Sequence, residues 1–178
     1  MRLWLAALAF VALFWSAPGG AQPAVINAFM GEWRGSGVSQ SNVSLNFKVT
    51  ARDLDVAIKP DGGGFLVRWT TVQREKGDPN SPTAERKSTE IRFAPTAKAN
   101  VWRGVDHGDP MGPNGYAWAR IEKQTLILHI LAVRDDGGYE MQVYERTLEG
   151  TGMRLEFTSH RDGDNVRSVK GRLVKVAN

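Results

Sequence analysis

His107, His129 and His160 are the three imidazoles of the 178-residue chain, which contains no cysteine. No two of them lie at i, i+2 or i, i+4 spacing and no His-Glu-x-x-His occurs, so the spacing offers no assembled metal site. Without a thiol, thiolate catalysis and most structural zinc sites are excluded. Ser36 stands between glycines, but their outer spacing is not that of a nucleophile elbow. No Ser/His/Asp set can be assigned. Asp162-Gly163-Asp164-Asn165 resembles the start of a calcium loop yet lacks the later ligands and closing glutamate, and reads as a turn. These residues lean against an enzyme without excluding one.

Binding chemistry is better supplied. Phe65 and Trp69 share one apolar face of the segment Gly64–Glu75, with Thr71 and Gln73 at its polar end. Trp102, Tyr116 and Trp118 flank a loop rich in Gly and Pro, His107–Gly115. Aromatics in this density either fill a core or line a lumen around an apolar ligand. On the second reading Phe65, Trp69, Thr71 and Trp118 touch the ligand, and the mobile-looking loop brings His107 to it. His129, flanked by Ile127 and Leu131 on its own parity, is a satisfied core residue or a ligand-facing one. His160 shares parity with Arg154, Glu156 and Thr158 and reads as solvated. Arg103 falls in phase with Val101 and Val105, and Glu145 with Met141 and Val143. Either charge, if inward, needs a partner or a ligand; at a strand end either could reach solvent.

The elements that must position these residues are strands. Phe65, Val67, Trp69 and Thr71 alternate with Arg68 and Thr70, the period-2 pattern of a half-buried strand. The same rhythm recurs over about 32–39, 43–51, 88–93, 100–105, 116–122, 139–148 and 153–158, and through 166–176. Between 43–51 and 53–59 the apolar parity flips, from Val49 and Ala51 to Leu54, Val56 and Ile58. A phase change of that kind predicts a bulge or turn at Arg52-Asp53. Thr125 to Val133 is apolar on both parities, as a strand covered on both sides would be. Turns fall at Lys59 to Gly64, Asp135 to Gly138, Glu149 to Gly152 and Asp162 to Asn165, where Gly, Pro, Asn and Asp supply the required dihedrals. The count is about ten strands joined by hairpins, with no long helical pattern between them. That rhythm predicts an all-β domain: a single antiparallel up-and-down β-barrel, or a sandwich, with a short helical turn over Ala24 to Met30 lying across its mouth.

Residues 1–21 read as a secretory leader, with Arg2 as the positive region, Leu3 to Trp15 as the apolar one and Ala17 to Ala21 as a small-residue exit. The apolar run is short for a membrane span of about 20 residues, so the chain after cleavage at Ala21, residues 22–178, is expected to be periplasmic or secreted, with no membrane span. An exported chain without cysteine must hold its fold by burial and ladder hydrogen bonds alone. The net charge of +4 comes from Lys and Arg interspersed with Asp and Glu. Such mixing describes a solvated outer face and argues against a nucleic-acid groove.

Gly31-Glu32-Trp33-Arg34-Gly35-Ser36-Gly37 adds a resemblance. Gly-x-Trp at the start of the first strand resembles the signature of the lipocalins and the wider calycin group, and the longer Gly-x-Trp-x-Gly-x-Gly is similar to the start of nitrobindin-type haem barrels. The resemblance implies that Trp33 plugs one end of the barrel, with the late-strand Arg172 lying across it in a cation–π contact. Nitrobindin-type barrels bind haem through a late histidine. The surroundings of His160 do not match that motif, so no cofactor is expected, and haem stays a minor alternative.

Three functions then compete: a periplasmic protein holding a small apolar or amphipathic molecule in the lumen, an envelope structural or interaction protein with a filled barrel, and a haem-binding or isomerase-type barrel enzyme. Fold does not choose among them. Lumen volume does.

Overall fold

A computed structural model of the protein describes residues 23–44, 49–74 and 84–177. The expected leader and Leu45 and Phe47 lie outside them. A helical turn, α1 (Pro23–Ile26), runs into a 3-10 turn (Asn27–Phe29). Ten strands follow: β1 (Gly31–Ser41), β2 (Val49–Asp61), β3 (Gly64–Arg74), β4 (Ala84–Pro95), β5 (Val101–Gly108), β6 (Tyr116–Glu122), β7 (Thr125–Val133), β8 (Tyr139–Glu149), β9 (Gly152–Arg161) and β10 (Asp164–Ala177). Each pairs antiparallel with its chain neighbours, and β1 pairs with β10 to close the sheet. This is the expected up-and-down barrel.

The predicted bulge at Arg52-Asp53 is absent. β2 runs through that point with no register shift against β1 or β3. Leu54, Val56 and Ile58 face the lumen, whereas Val49 is 63% exposed and Ala51 is exposed beside it on the outer face. The apolar parity flips because two small apolar residues face solvent near the strand's end, with no bulge in the backbone.

Closure depends on bare backbone. A Cβ on Gly35 would stand 1.9 Å from the Arg172 carbonyl oxygen, and one on Gly171 would stand 2.5 Å from Leu54 Cδ1. Only glycine lets β1 and β10 approach this closely while Leu54 covers the seam.

Below the middle of the barrel the lumen is filled. Phe65 stacks on Phe93 with centroids 5.1 Å apart and meets Trp102 edge-on at 5.3 Å. Ile58, Val67, Ile91, Leu126, Leu128, Met153 and Leu173 are buried around them. The N-terminal turns close the end: Ile26, Phe29 and Trp33 are buried, and Trp33 Nε1 donates to the Phe29 carbonyl at 3.0 Å. The cation over the Trp33 ring is Lys175, with Nζ 5.5 Å from its centroid, and the expectation for Arg172 is corrected. The β1–β10 register sets Trp33 opposite Lys175, whereas Arg172 lies opposite Ser36 and is exposed.

The outer wall of β1–β4 carries cross-strand ion pairs, Arg34–Asp55 at 3.1 Å, Lys59–Glu32 at 3.1 Å and Arg68–Glu90 at 2.6 Å. Exposed pairs of this kind stabilise by about 0–1 kcal/mol each. Their position matters more than their energy: along β1–β4 charge faces outward and apolar side chains face the lumen. Among the described residues no helix is long and apolar enough to cross a membrane.

Truncating the plug should be costly. Trp33→Ala is expected to lose roughly 3–5 kcal/mol in chemical denaturation, the range for a buried large aromatic. Lys175→Ala should lose no more than about 1 kcal/mol. A loss below about 1 kcal/mol for Trp33→Ala would show that the turn does not seal the barrel.

Candidate functional site

Above the aromatic plug the side chains stop filling the lumen, and a cavity of about 560 Å³ remains. Ten strands enclose more room than eight, whose lumen side chains just fill. The volume lies in the range of small-molecule sites, about 300–1,000 Å³. Leu54, Val56, Leu155 and Val169 form its apolar floor and walls. Trp69 from β3 meets Tyr144 of β8 at 4.8 Å, and Tyr144 meets Phe157 of β9 at 4.6 Å, which makes one aromatic wall.

Along that wall β8 turns a polar row inward: Glu140, Gln142, Tyr144 and Arg146, two residues apart as the pleat requires. Glu140 accepts from Ser159 Oγ at 2.8 Å, from Gln142 Nε2 at 2.8 Å and from Arg161 Nε at 3.0 Å. Gln142 in turn accepts from the Tyr144 hydroxyl at 3.0 Å. Burial opposes the Glu140 charge, but the hydrogen bonds from Gln142, Ser159 and Arg161 outweigh it and hold the carboxyl below the usual glutamate range. Burial pushes the Tyr144 phenol up to about 12, so it remains a donor at any physiological pH.

The row ends at Arg146, which is 0% exposed. Among the described residues no group accepts a hydrogen bond from its Nε, Nη1 or Nη2. Its guanidinium lies 5.4 Å from the Trp69 centroid and 5.6 Å from that of Tyr144. Burial pushes its pKa down to about 10, which still leaves it cationic at neutral pH. Nearer the mouth stand Arg52, Lys87, Arg161 and Arg167, with Glu85 and Glu140 against them. Arg52 Nε is buried without a protein acceptor, and burial followed by the Arg167 charge lowers its pKa.

One stretch of wall is unlaced. β4 pairs with β5 only at Phe93–Gly104, Ala94–Arg103 and Pro95–Trp102, so among the described residues Ala84–Arg92 has no ladder on that side. The Arg92–Asp106 ion pair, at 2.7 Å, spans the gap.

The expected site residues separate into three groups. Trp69 and Thr71 line the cavity. Phe65 points inward but belongs to the filled core beneath it. Arg103, Trp118, His129 and Glu145 are corrected to the outer wall, because the inward parity there belongs to Trp102, Ala117, Ala119, Leu126, Leu128 and Arg146. His129 stacks flat on Trp118 at 4.5 Å and 1°, and burial, then Arg120, lowers its pKa. His107, expected in the loop, lies near the end of β5, where its Nδ1 donates to the Asn114 carbonyl at 2.7 Å, and no residue of 107–115 lines the cavity. The mouth is bounded instead by Val43, Gln73, Lys87 and Val166. Sequence reading missed the β8 row altogether. Its signal was the hairpin register, which pairs Leu126 with Arg146 and Leu128 with Tyr144 and so puts each pair on one face.

No protein-family model matches the chain, and no curated protein matches it. Solved structures share its fold. The S-type phycobiliprotein lyase CPES of Guillardia theta superposes with a TM-score of 0.56 at 11% identity, over 86% of this chain and 93% of that one. A protein of unknown function from the DUF3598 family of Nostoc punctiforme superposes with a TM-score of 0.55 at 15% identity, over 88% of this chain and 53% of that one. At these identities the likeness is one of fold alone, a closed antiparallel barrel.

The Glu140 hub gives a pH test. Its carboxyl is held below its unfolded pKa, so its stabilisation is present above about pH 4.3 and fades as pH falls through the lowered native value. Glu140→Gln should therefore lose about 1–2 kcal/mol at pH 7 in denaturant unfolding, with the deficit shrinking below about pH 4. A deficit that is constant from pH 7 to pH 3 would contradict this role.

Proposed function

We propose that the protein is an exported, periplasmic or secreted binding protein that holds a small amphipathic molecule in the open half of its barrel. The observation that carries the reading is the cavity of about 560 Å³ between the aromatic plug and the mouth. An envelope protein with a filled barrel would continue the packing of Phe65, Phe93 and Trp102 to the top, and here it stops at mid-height. The aromatic wall suits an apolar body, and the β8 row suits a polar end, the usual division in small-molecule sites.

A haem reading lacks its ligand. None of the three histidines lines the cavity: His129 lies on the outer wall, His107 is near the end of β5, and His160 faces outward opposite Met141. The described lining of the cavity therefore offers no histidine in support of a nitrobindin-type role. Export rests on the order of charged, apolar and small residues in 1–21. N-terminal sequencing of the exported form should begin at Gln22, and an intact leader in the membrane fraction would refute it.

Among the four tryptophans after the leader, Trp69 alone lines the cavity. Titration with fatty acids and isoprenoids should quench tryptophan fluorescence, and Trp69→Ala should weaken binding by about 1–3 kcal/mol. If no compound quenches, and a structure shows the cavity collapsed around Trp69, the binding reading fails and the filled-barrel reading replaces it.

A further inference from the structure

We infer that the cavity receives its ligand by an oxyanion head, a carboxylate or phosphate monoester that docks on Arg146, with the apolar body extending along Trp69 and Phe157 towards the mouth. The inference rests on the binding reading and adds to it the chemical class of the ligand.

Arg146 carries five N–H donors in a planar fork. All three of its nitrogens are buried, and none meets a protein acceptor. The aromatic rings of Trp69 and Tyr144 stand near its guanidinium carbon, at 5.4 and 5.6 Å, and attract the charge without accepting the in-plane hydrogens. The carboxylate on the same strand face, Glu140, is committed to Ser159, Gln142 and Arg161. The Tyr144 hydroxyl is committed to Gln142. The charge of Arg146 is therefore uncompensated by the chain itself. A fork of donors in that state matches the paired oxygens of a carboxylate or phosphate.

The rest of the cavity sets the other properties of the ligand. Leu54, Val56, Leu155 and Val169 add apolar surface to the cavity, which disfavours a second charge and so favours a carboxylate over a phosphate monoester, whose charge approaches two at neutral pH. Near the mouth Arg52, Lys87, Arg161 and Arg167 outnumber Glu85 and Glu140, a net positive set that draws an anion inward towards Arg146 and opposes a cationic head. The barrel thus selects acidic amphipaths over neutral or basic ones of the same body.

The test uses bodies that differ only in their heads. Decanoate, decyl phosphate, 1-decanol and decylamine, with 4-(1-pyrenyl)butyrate and the matching alcohol as an aromatic pair, are titrated into the leader-free chain by calorimetry and tryptophan fluorescence. The acids should bind about ten- to a hundred-fold more tightly than the alcohols, the range of one charge-assisted bidentate contact, and decylamine least of all. Comparison of decanoate with decyl phosphate assigns the head between the two oxyanions. Arg146→Met should abolish the preference for acids over alcohols, and its ligand-free melting temperature should rise because an uncompensated buried charge is gone. Equal binding of acids and alcohols by the wild-type chain would overturn the oxyanion site while the cavity reading stands, water then satisfying the guanidinium. Retention of the acid preference in Arg146→Met would overturn it as well. If none of the six compounds binds, the binding reading itself falls and this inference falls with it.

Discussion

Closure through β1 and β10 is the constraint from which the rest follows. Once ten strands close, each residue of the ladder faces either the lumen or the outside, and the pleat assigns the two in strict alternation. The seam that enforces closure runs where Gly35 and Gly171 leave the backbones in contact. A cylinder of this width holds more than the chain's inward side chains can fill. The chain places its large aromatics, Phe65, Phe93, Trp102 and Trp33, towards one end and leaves the other open. The open half is where polar groups can face inward without disturbing the core.

Arg146 stands at the boundary between the halves. Burying a cation without a partner costs several kcal/mol even after relaxation. Cation–π contact with two desolvated rings returns about 2 kcal/mol or somewhat more per ring. The aromatic wall of Trp69 and Tyr144 thus offsets part of the cost and leaves the hydrogen-bonding part open. Glu140, the nearest acid along the same row, is instead satisfied at the upper end by Ser159, Gln142 and Arg161. The row therefore separates into a neutralised upper end and a cationic lower end, an arrangement that disfavours the empty state and favours an occupant bearing negative charge.

Much of the fold was legible in the sequence because hairpin turns and alternation are local. The face of β3 with Phe65, Val67 and Trp69, the turn at Gly62-Gly63 and the limits of β6 and β7 follow from residue type alone. The site was less legible, and for a physical reason. Alternation identifies two faces, and the rule that the apolar face is the inner one fails where the lumen is a polar cavity. In β8, Met141 and Val143 lie outside, and Gln142, Tyr144 and Arg146 lie inside. The outer wall beside them tolerates apolar residues because Trp118 and His129 cover each other. β7 could not break the tie, being apolar on both parities. Arg172 was assigned to Trp33 on the family resemblance, and the ladder register that sets it opposite Ser36 is a property of the closed sheet that local pattern does not carry.

The central claim is that this barrel carries an acidic amphipath in its upper half. Native mass spectrometry of the protein purified gently from its native cells, followed by extraction and identification of what is released, addresses that claim most directly. The account expects a fraction of the chain to carry a single small molecule with one carboxylate or phosphate head and an apolar body sized to a cavity of about 560 Å³. A neutral or cationic molecule released from the cavity, or a chain that carries nothing and takes up nothing from an extract of those cells, would contradict it.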